Sequence, residues 1–205
     1  MLLLEVERKF PSLTTKALHL ATNRPPFQTI HHQGTKTLHD IYFDSPTHQL
    51  SKQGIWIRKR NNTWQAKIRR GGNYTNSQFQ ELATPGEISS FLASITGVKK
   101  SEKVDFGLVP MADFVTIRES WVADRDFTIV QDETDFGHTV GEVEMEWRGN
   151  YNGIRGDGDV EAYRRLKLRG MDGRVEQFME TYGWAFSRGV PKGKLSAYFE
   201  IKGRK

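Results

Sequence analysis

Two stretches of the chain alternate acidic and apolar residues as a half-buried strand does. Glu5 and Glu7 share one face of a strand near the N-terminus, and Leu4 and Val6 share the other, because successive strand side chains point to opposite sides. The same alternation returns in residues 141–147, where three glutamates alternate with three apolar residues. Carboxylates crowded on one face repel each other, and a shared cation relieves that repulsion. The two strands therefore predict a carboxylate site for a hard metal ion.

Strand-like segments bounded by turn residues continue along the chain and indicate an antiparallel sheet. Asn61-Asn62-Thr63 separates two of them and predicts a hairpin connection. The pattern predicts eight strands beyond the first, over residues 38–43, 55–60, 64–69, 77–82, 114–122, 127–132, 139–147 and 195–201.

Helical periodicity is confined to three regions. Thr84-Pro85-Gly86-Glu87 combines an N-cap hydroxyl, a proline at the first helical position and a capping-box glutamate, so a helix should start there and stop near Gly97. A weaker pattern covers residues 14–21, and residues 159–182 should hold one or two helices interrupted between Gly170 and Gly173. The chain is therefore expected to be one α+β domain over residues 1–205, dominated by strands.

The composition of the chain limits the partners and the kinds of site that it can have. The 205 residues carry a net charge of +5, which favours anionic partners, and they include no cysteine. Disulfides, thiolate nucleophiles and cysteine-ligated zinc are therefore excluded. No apolar run reaches membrane-spanning length, and the apolar N-terminus is interrupted at Glu5. We expect a cytoplasmic protein.

Basic residues follow the same strand parity as the acidic ones. Trp56, Arg58 and Arg60 share one face of a strand, and its hairpin partner places Lys67 and Arg69 together, although Arg69 is not among the expected site residues. If such strands closed into a barrel with the charged rows inside, the lumen would need water or a polyanion with metal ions to be stable. A polyphosphate with Mg²⁺ or Mn²⁺ fits that description. For any one row, a solvated outer face is the alternative.

An ordered set of motifs resembles the CYTH superfamily, the triphosphate tunnel metalloenzymes. Glu5-Val6-Glu7-Arg8-Lys9 is similar to the family's ExExK signature. The similarity continues, in the order that the family shows, at Asp40-Ile41-Tyr42-Phe43-Asp44-Ser45-Pro46, Trp56–Arg60, Trp64–Lys67, Phe79–Leu82, Arg118, Asp132–Gly137, Gly141–Glu144 and Gly193-Lys194-Leu195. Within the superfamily the pattern most resembles the thiamine triphosphatases.

The resemblance implies a fold and a role for each site residue. The fold would be an eight-stranded antiparallel β-barrel with helices packed outside. The expected metal ligands for Mg²⁺ or Mn²⁺ are Glu5, Glu7, Asp132, Glu142 and Glu144. The expected substrate-binding residues are Lys9, Arg58, Arg60, Arg118, Lys194, Trp56 and Glu81.

Lys67 and Tyr42 resemble a lysine–tyrosine dyad that activates water for attack on the terminal phosphorus. A lysine among other cations can have a lowered pKa, as a base requires. The alternative role for Lys67 is one more phosphate clamp. Trp56 is the expected platform for a cationic thiazolium.

The implied activity is metal-dependent hydrolysis of thiamine triphosphate to thiamine diphosphate and phosphate. An inorganic tripolyphosphatase or a nucleoside triphosphatase is the nearest alternative. A non-catalytic polyphosphate- or RNA-binding barrel is a further alternative, although the chain lacks the aromatic platform typical of single-strand binders. We expect a monomer acting on a small-molecule triphosphate, without nucleic-acid or membrane partners.

Overall fold

Eight strands and four helices form the regular elements of the computed structural model, which describes residues 2–15, 18, 25–150 and 156–203. The strands are β1 Leu2–Phe10, β2 Ile30–Asp44, β3 Ile55–Arg60, β4 Thr63–Gly72, β5 Asn76–Leu82, β6 Val109–Ala123, β7 Phe127–Thr134 and β8 Thr139–Gly149. The helices are α1 Gln49–Lys52, α2 Pro85–Thr96, α3 Asp157–Thr181 and α4 Lys194–Lys202. Short 3-10 segments cover Glu102–Gly107 and Gly183–Ala185.

The strands close into one antiparallel barrel in the order β1-β5-β4-β3-β2-β6-β7-β8. Closure occurs at β1, which pairs with β5 on one side and with β8 on the other. The eight-stranded barrel expected from the sequence is confirmed. Each strand therefore has one face toward the barrel interior and one toward the outside.

Strand β1 shows how the two faces differ. Leu4 and Val6 are fully buried in an apolar core outside the barrel, whereas Glu5 and Glu7 are buried toward the interior. Arg8, the polar exception on the outer face, donates hydrogen bonds to Asp172 of α3 at 3.2 and 3.0 Å. Both rows of the strand are thus shielded from bulk water.

The larger outer core lies under α3. Leu168, Val175 and Phe178 of this helix pack with β1, with Trp121 of β6 and with Ile129 of β7. Gly141 of β8 faces Phe10, and a Cβ at this glycine would stand 2.0 Å from the phenyl ring. The glycine thus permits the close approach of the two strands beside the core.

A second outer core lies under α2. Ile88 and Leu92 pack against the outer faces of β3 and β4, including Ile57. Thr84 accepts a hydrogen bond from the backbone N–H of Glu87, whose side chain accepts one from the Thr84 N–H, so the predicted capping box is present. The predicted stop is also present, since Gly97 caps the helix with φ 74°.

The β3–β4 hairpin turns where the sequence predicted, with Asn61 and Asn62 at φ 45° and 66°. The chain after β2 adds a short helix that the pattern did not predict. Buried Asp44 accepts hydrogen bonds from the backbone N–H groups of Ser45, Leu50 and Ser51 at 2.6, 2.9 and 2.9 Å, and these bonds hold α1 in place.

The prediction of a last strand over residues 195–201 was wrong, because this segment is helix α4. Leu195, Tyr198 and Phe199 stand at helical spacing, and a closed barrel offers no free edge for another strand. Leu195 and Tyr198 instead pack against the buried cluster that contains Phe114 of β6, and the Tyr198 ring contacts Phe114. The helix begins at Lys194, which it delivers to the barrel interior.

The predicted interruption at Gly170–Gly173 was also wrong, since α3 runs unbroken through both glycines. Packing of Leu168 and Met171 in the outer core offsets the roughly 1 kcal/mol that each glycine costs a helix. The expected helix over residues 14–21 falls mostly outside the described residues. Among the helices that the structure describes, none is long and apolar enough to cross a membrane.

Candidate active site in the barrel tunnel

A cavity of about 480 Å³ occupies the barrel interior. Inward-facing side chains of the strands line it, together with the first turn of α4. Thirteen of the fourteen residues that the sequence singled out contribute to this lining, namely Glu5, Glu7, Lys9, Tyr42, Trp56, Arg58, Arg60, Lys67, Glu81, Arg118, Glu142, Glu144 and Lys194. The barrel therefore gathers residues from the whole length of the chain into one tunnel.

Three carboxylates form an acidic cluster at one wall of the tunnel. One oxygen each of Glu5, Glu7 and Glu144 lies within 4.8 Å of the others, and all three residues are buried. The strand register creates this proximity, because Glu7 of β1 stands opposite Glu144 of β8. Buried carboxylate oxygens at this spacing are the donors that a hard divalent cation prefers.

The pKa values in this cluster reflect the crowding. Burial, reinforced by the neighbouring carboxylates, raises the pKa of Glu5 well above its ordinary value despite the charge of Lys67. Burial likewise raises the pKa of Glu144 to about 7. The pKa of Glu7 is lowered, because Lys9 and Lys67 outweigh its burial. The acidic cluster thus holds more negative charge than its neighbours fully neutralise, and a bound cation would stabilise it.

Glu142 stands apart from the cluster, among basic side chains. Its carboxylate lies 3.4 Å from Lys9 Nζ, 3.5 Å from Arg118 Nη2 and 4.0 Å from Lys194 Nζ. Burial would raise the pKa of Glu142, but these cations hold it well below the ordinary value. The carboxylate is ionised, and its ligand role stays a prediction.

Asp132, the remaining expected ligand, is fully buried and stands opposite Arg118 in the β6–β7 register, but it does not itself line the cavity. Both of its oxygens accept hydrogen bonds from Arg118, from Nε and Nη2 at 2.7 Å each. Lys194 Nζ donates to the same carboxylate. The structure therefore gives Asp132 a positioning role, holding two cations at the tunnel, and its metal role also stays a prediction.

Asp40 holds Arg60 by two hydrogen bonds, as Asp132 holds Arg118. Arg60 donates from Nε and Nη2 to the two oxygens of buried Asp40 at 2.7 and 2.6 Å. Burial opposes ionisation of Asp40, but Arg60 and Arg58 keep its pKa lowered. Sequence reasoning did not assign Asp40 to the site, although it shares a strand face with Tyr42. Arg58 is held differently, since its Nε donates to Gln65 at 2.9 Å.

Lys67 lies among carboxylates rather than beside Tyr42. Its Nζ donates to Glu5 and stands 3.2 Å from Glu7 and 3.3 Å from Glu81. Burial would lower the pKa of Lys67, but these three carboxylates raise it well above the ordinary value. The expectation of a lowered pKa was therefore wrong. The Tyr42 hydroxyl instead accepts a hydrogen bond from Arg58 Nη1 at 3.4 Å.

Trp56 lies in the tunnel, as strand parity predicted, with its ring edge-on to Phe79 at 5.6 Å between centroids. A residue left out of the predicted site, Arg69, covers the same indole, with its guanidinium carbon 4.9 Å from the ring centroid. Its position two residues after Lys67 on β4 places it on the inner strand face, and this parity was the signal available in the sequence.

The fold is thus a closed barrel with a polar tunnel. A buried carboxylate cluster, arginines and lysines all line this tunnel, which is large enough for a small ligand. A family model described as CYTH domain matches residues 3–150, and the chain belongs to this family. The resemblance found in the sequence motifs is thereby confirmed.

The relatives and the solved structures agree with this assignment. The chain is 27% identical over 163 residues to thiamine-triphosphatase of Macaca fascicularis, and 28% identical over 163 residues to that of Homo sapiens. Each alignment covers 69% of this chain and 67% of the relative. A solved structure of a protein from Pyrococcus horikoshii is similar with a TM-score of 0.51 at 15% identity, covering 96% of this chain and 98% of that one, which supports the fold.

Proposed function

We propose that the protein is a metal-dependent phosphohydrolase that removes the terminal phosphate of a triphosphate. The observation that carries this proposal is the polarity of the tunnel. Three buried carboxylates cluster within 4.8 Å at one wall, and arginines and lysines line the same 480 Å³ cavity. A triphosphate with its cation needs both kinds of group together.

The acidic cluster fits a divalent cation such as Mg²⁺ or Mn²⁺. Glu5, Glu7 and Glu144 would hold it, because they offer oxygen donors at short mutual distances in a site where their like charges are otherwise incompletely compensated. Such an ion supplies charge neutralisation at phosphate oxygens. Lys9 and Lys67, which pair with these carboxylates, would be released to donate to the substrate.

The basic side chains would bind the phosphate oxygens and the charge that develops on them. Arg60 and Arg118 are fixed by two-point hydrogen bonds to buried Asp40 and Asp132. Cations held in place before the substrate arrives lose little freedom on binding, and phosphoryl transfer depends mainly on such positioning and charge stabilisation.

We assign Lys67 to phosphate binding rather than to proton abstraction. Its ammonium group donates to Glu5 and stands 3.2 Å from Glu7, and once a cation binds these two carboxylates the same N–H donors can turn to a phosphate oxygen. Tyr42 would contribute through Arg58, whose guanidinium its hydroxyl contacts.

Thiamine triphosphate is the first candidate substrate. Two relatives carry the name thiamine-triphosphatase, and Trp56 lines the tunnel where an aromatic face could meet a cationic ring. Inorganic tripolyphosphate is the second candidate, and one observation favours it. The guanidinium of Arg69 already stands over the Trp56 ring, and a positive group there disfavours an organic cation.

A substrate panel tests the proposal. Phosphate release from thiamine triphosphate, tripolyphosphate, ATP and pyrophosphate is measured with Mg²⁺ and with Mn²⁺. We expect at least one triphosphate to be hydrolysed well above pyrophosphate, since arginines and lysines from several strands line the cavity. Absence of phosphate release from all three triphosphates with either metal would overturn the proposed function.

A further inference from the structure

Arg69 is a tunnel cation that neither the family motifs nor the expected site includes. It lies on β4, in register with Phe79 of β5, and its side chain lines the cavity with Lys67 and Trp56. Strand β4 thus presents Gln65, Lys67 and Arg69 in succession along the tunnel wall. Successive inward positions are about 6.6–6.8 Å apart along a strand, so Arg69 extends the polar wall by one step beyond Lys67.

The surroundings of Arg69 differ from those of its neighbours. Each of the cations Arg60, Lys67 and Arg118 contacts a carboxylate. Arg69 Nε is buried without a hydrogen-bond partner, and in the described part of the chain its guanidinium forms no ion pair. A buried polar group without a partner is costly, and more so when it is charged. An anion beside the guanidinium would offset its unpaired charge.

The guanidinium of Arg69 lies over the ring of Trp56. The guanidinium carbon lies 4.9 Å from the indole centroid, and the indole is itself held edge-on against Phe79. In general, a guanidinium stacked on an aromatic ring can still donate hydrogen bonds in its own plane, here from the two terminal nitrogens. This arrangement suits the two-point recognition of a phosphate.

We propose that Arg69, stacked on Trp56, forms an additional anion-binding subsite that takes a further phosphate group of a linear inorganic polyphosphate. The subsite rests on the proposed function, because it extends the triphosphate site by one anionic group. It also sets specificity, since a cationic organic end placed against Trp56 must meet the like charge of Arg69.

The test compares linear inorganic tripolyphosphate with linear inorganic tetraphosphate. Binding in Mg²⁺ is measured by stopped-flow tryptophan fluorescence, which records the association before turnover, and phosphate release is measured in parallel. The variants are Arg69→Gln, Arg69→Lys and the matched control Arg70→Gln, which removes the same charge one residue along β4 on the exposed face, where Arg70 donates to Gln80. Thermal melts establish that each variant is folded.

Arg69→Gln should raise the Kd for tetraphosphate about tenfold or more, the effect of losing hydrogen bonds to a charged group. The Kd for tripolyphosphate should change less than about threefold, Arg69→Lys should recover most of the tetraphosphate affinity, and Arg70→Gln should change neither. Equal losses for both polyphosphates, or no loss for tetraphosphate, would overturn the subsite.

The two proposals fail separately. Binding of tetraphosphate that depends on Arg69, without phosphate release from any triphosphate, would reject the hydrolase and keep the subsite. Phosphate release from tripolyphosphate together with an Arg69→Gln variant that binds tetraphosphate like the wild type would reject the subsite and keep the hydrolase.

Discussion

The two faces of the barrel wall use the same strands for opposite purposes. On the outside, β1 contributes Leu4 and Val6 to an apolar core closed by α3. On the inside, the same strand contributes Glu5 and Glu7 to a buried acidic cluster. The outer face follows the usual rule that apolar burial stabilises a fold. The inner face buries charges that would be destabilising without partners, which is the pattern expected where function sets the sequence.

The inner face is also organised differently from the outer one. Outer residues contact many apolar neighbours, so the loss of one side chain leaves a cavity. Inner residues depend on a few specific partners, as Arg60 does on Asp40 and Arg118 on Asp132. Substitutions on the inner face should therefore alter ligand binding and turnover, and substitutions on the outer face should alter stability.

The largest effect is expected inside the tunnel, at Glu7. Glu7→Gln should reduce turnover about a hundredfold or more, because a neutral amide is a poor ligand for a hard cation and metal-based charge stabilisation is worth several kcal/mol. Phosphate release from the best substrate of the panel measures the effect. Glu133→Gln, an exposed glutamate on β7, is the matched control and should keep wild-type turnover. Retention of full activity in Glu7→Gln would place the cation elsewhere.

The next effect is expected on the outer face, in helix α3. Leu168 is 1% exposed in the outer core and Leu166, two residues before it, is 70% exposed. Leu168→Ala should lower the free energy of unfolding by about 2–5 kcal/mol through the cavity it leaves. Leu166→Ala should lower it by less than about 0.5 kcal/mol. Urea denaturation measures both, and equal effects would mean that α3 does not close the core.

A smaller effect is expected at Arg58 on the inner face. Arg58→Ala should weaken triphosphate binding by about 1.5–3 kcal/mol, the range for hydrogen bonds to a charged group. Its neighbour Lys59 points to the other face, over Trp64, so Lys59→Ala should leave the affinity unchanged. Titration of the two variants with the same triphosphate makes the comparison. An unchanged affinity in Arg58→Ala would remove this arginine from the substrate site.

Local patterns predicted the parts of the fold that depend on neighbouring residues. Alternation predicted β1 and β8, the two asparagines predicted the β3–β4 turn, and the Thr84 capping box predicted the start of α2. Helix α4 could not be predicted in this way. The local pattern of this segment fits a short strand as well as a helix, and what excludes a strand there is closure of the barrel, a long-range event in which β1 pairs with both β5 and β8.

The same contrast between local patterns and long-range pairing holds for the candidate site. The order of motifs identified thirteen residues that the structure brings into one tunnel. The partnership of Asp40 with Arg60 and the stacking of Arg69 on Trp56 depend on register across strands. The raised pKa of Lys67 depends on carboxylates from β1 and β5 that converge only when the barrel closes. Sequence patterns thus indicate which residues belong to the tunnel, and pairing between strands decides their protonation and contacts.

The central claim is that the acidic cluster, together with the arginines and lysines that line the same cavity, forms one site for a cation and a triphosphate. Phosphate release in excess EDTA, followed by addition of Mg²⁺ or Mn²⁺ beyond the chelator, tests it most directly. We predict that hydrolysis stops in EDTA and returns with either metal, while the thermal melt shows that the chelated protein is folded. Full hydrolysis in excess chelator would contradict the claim.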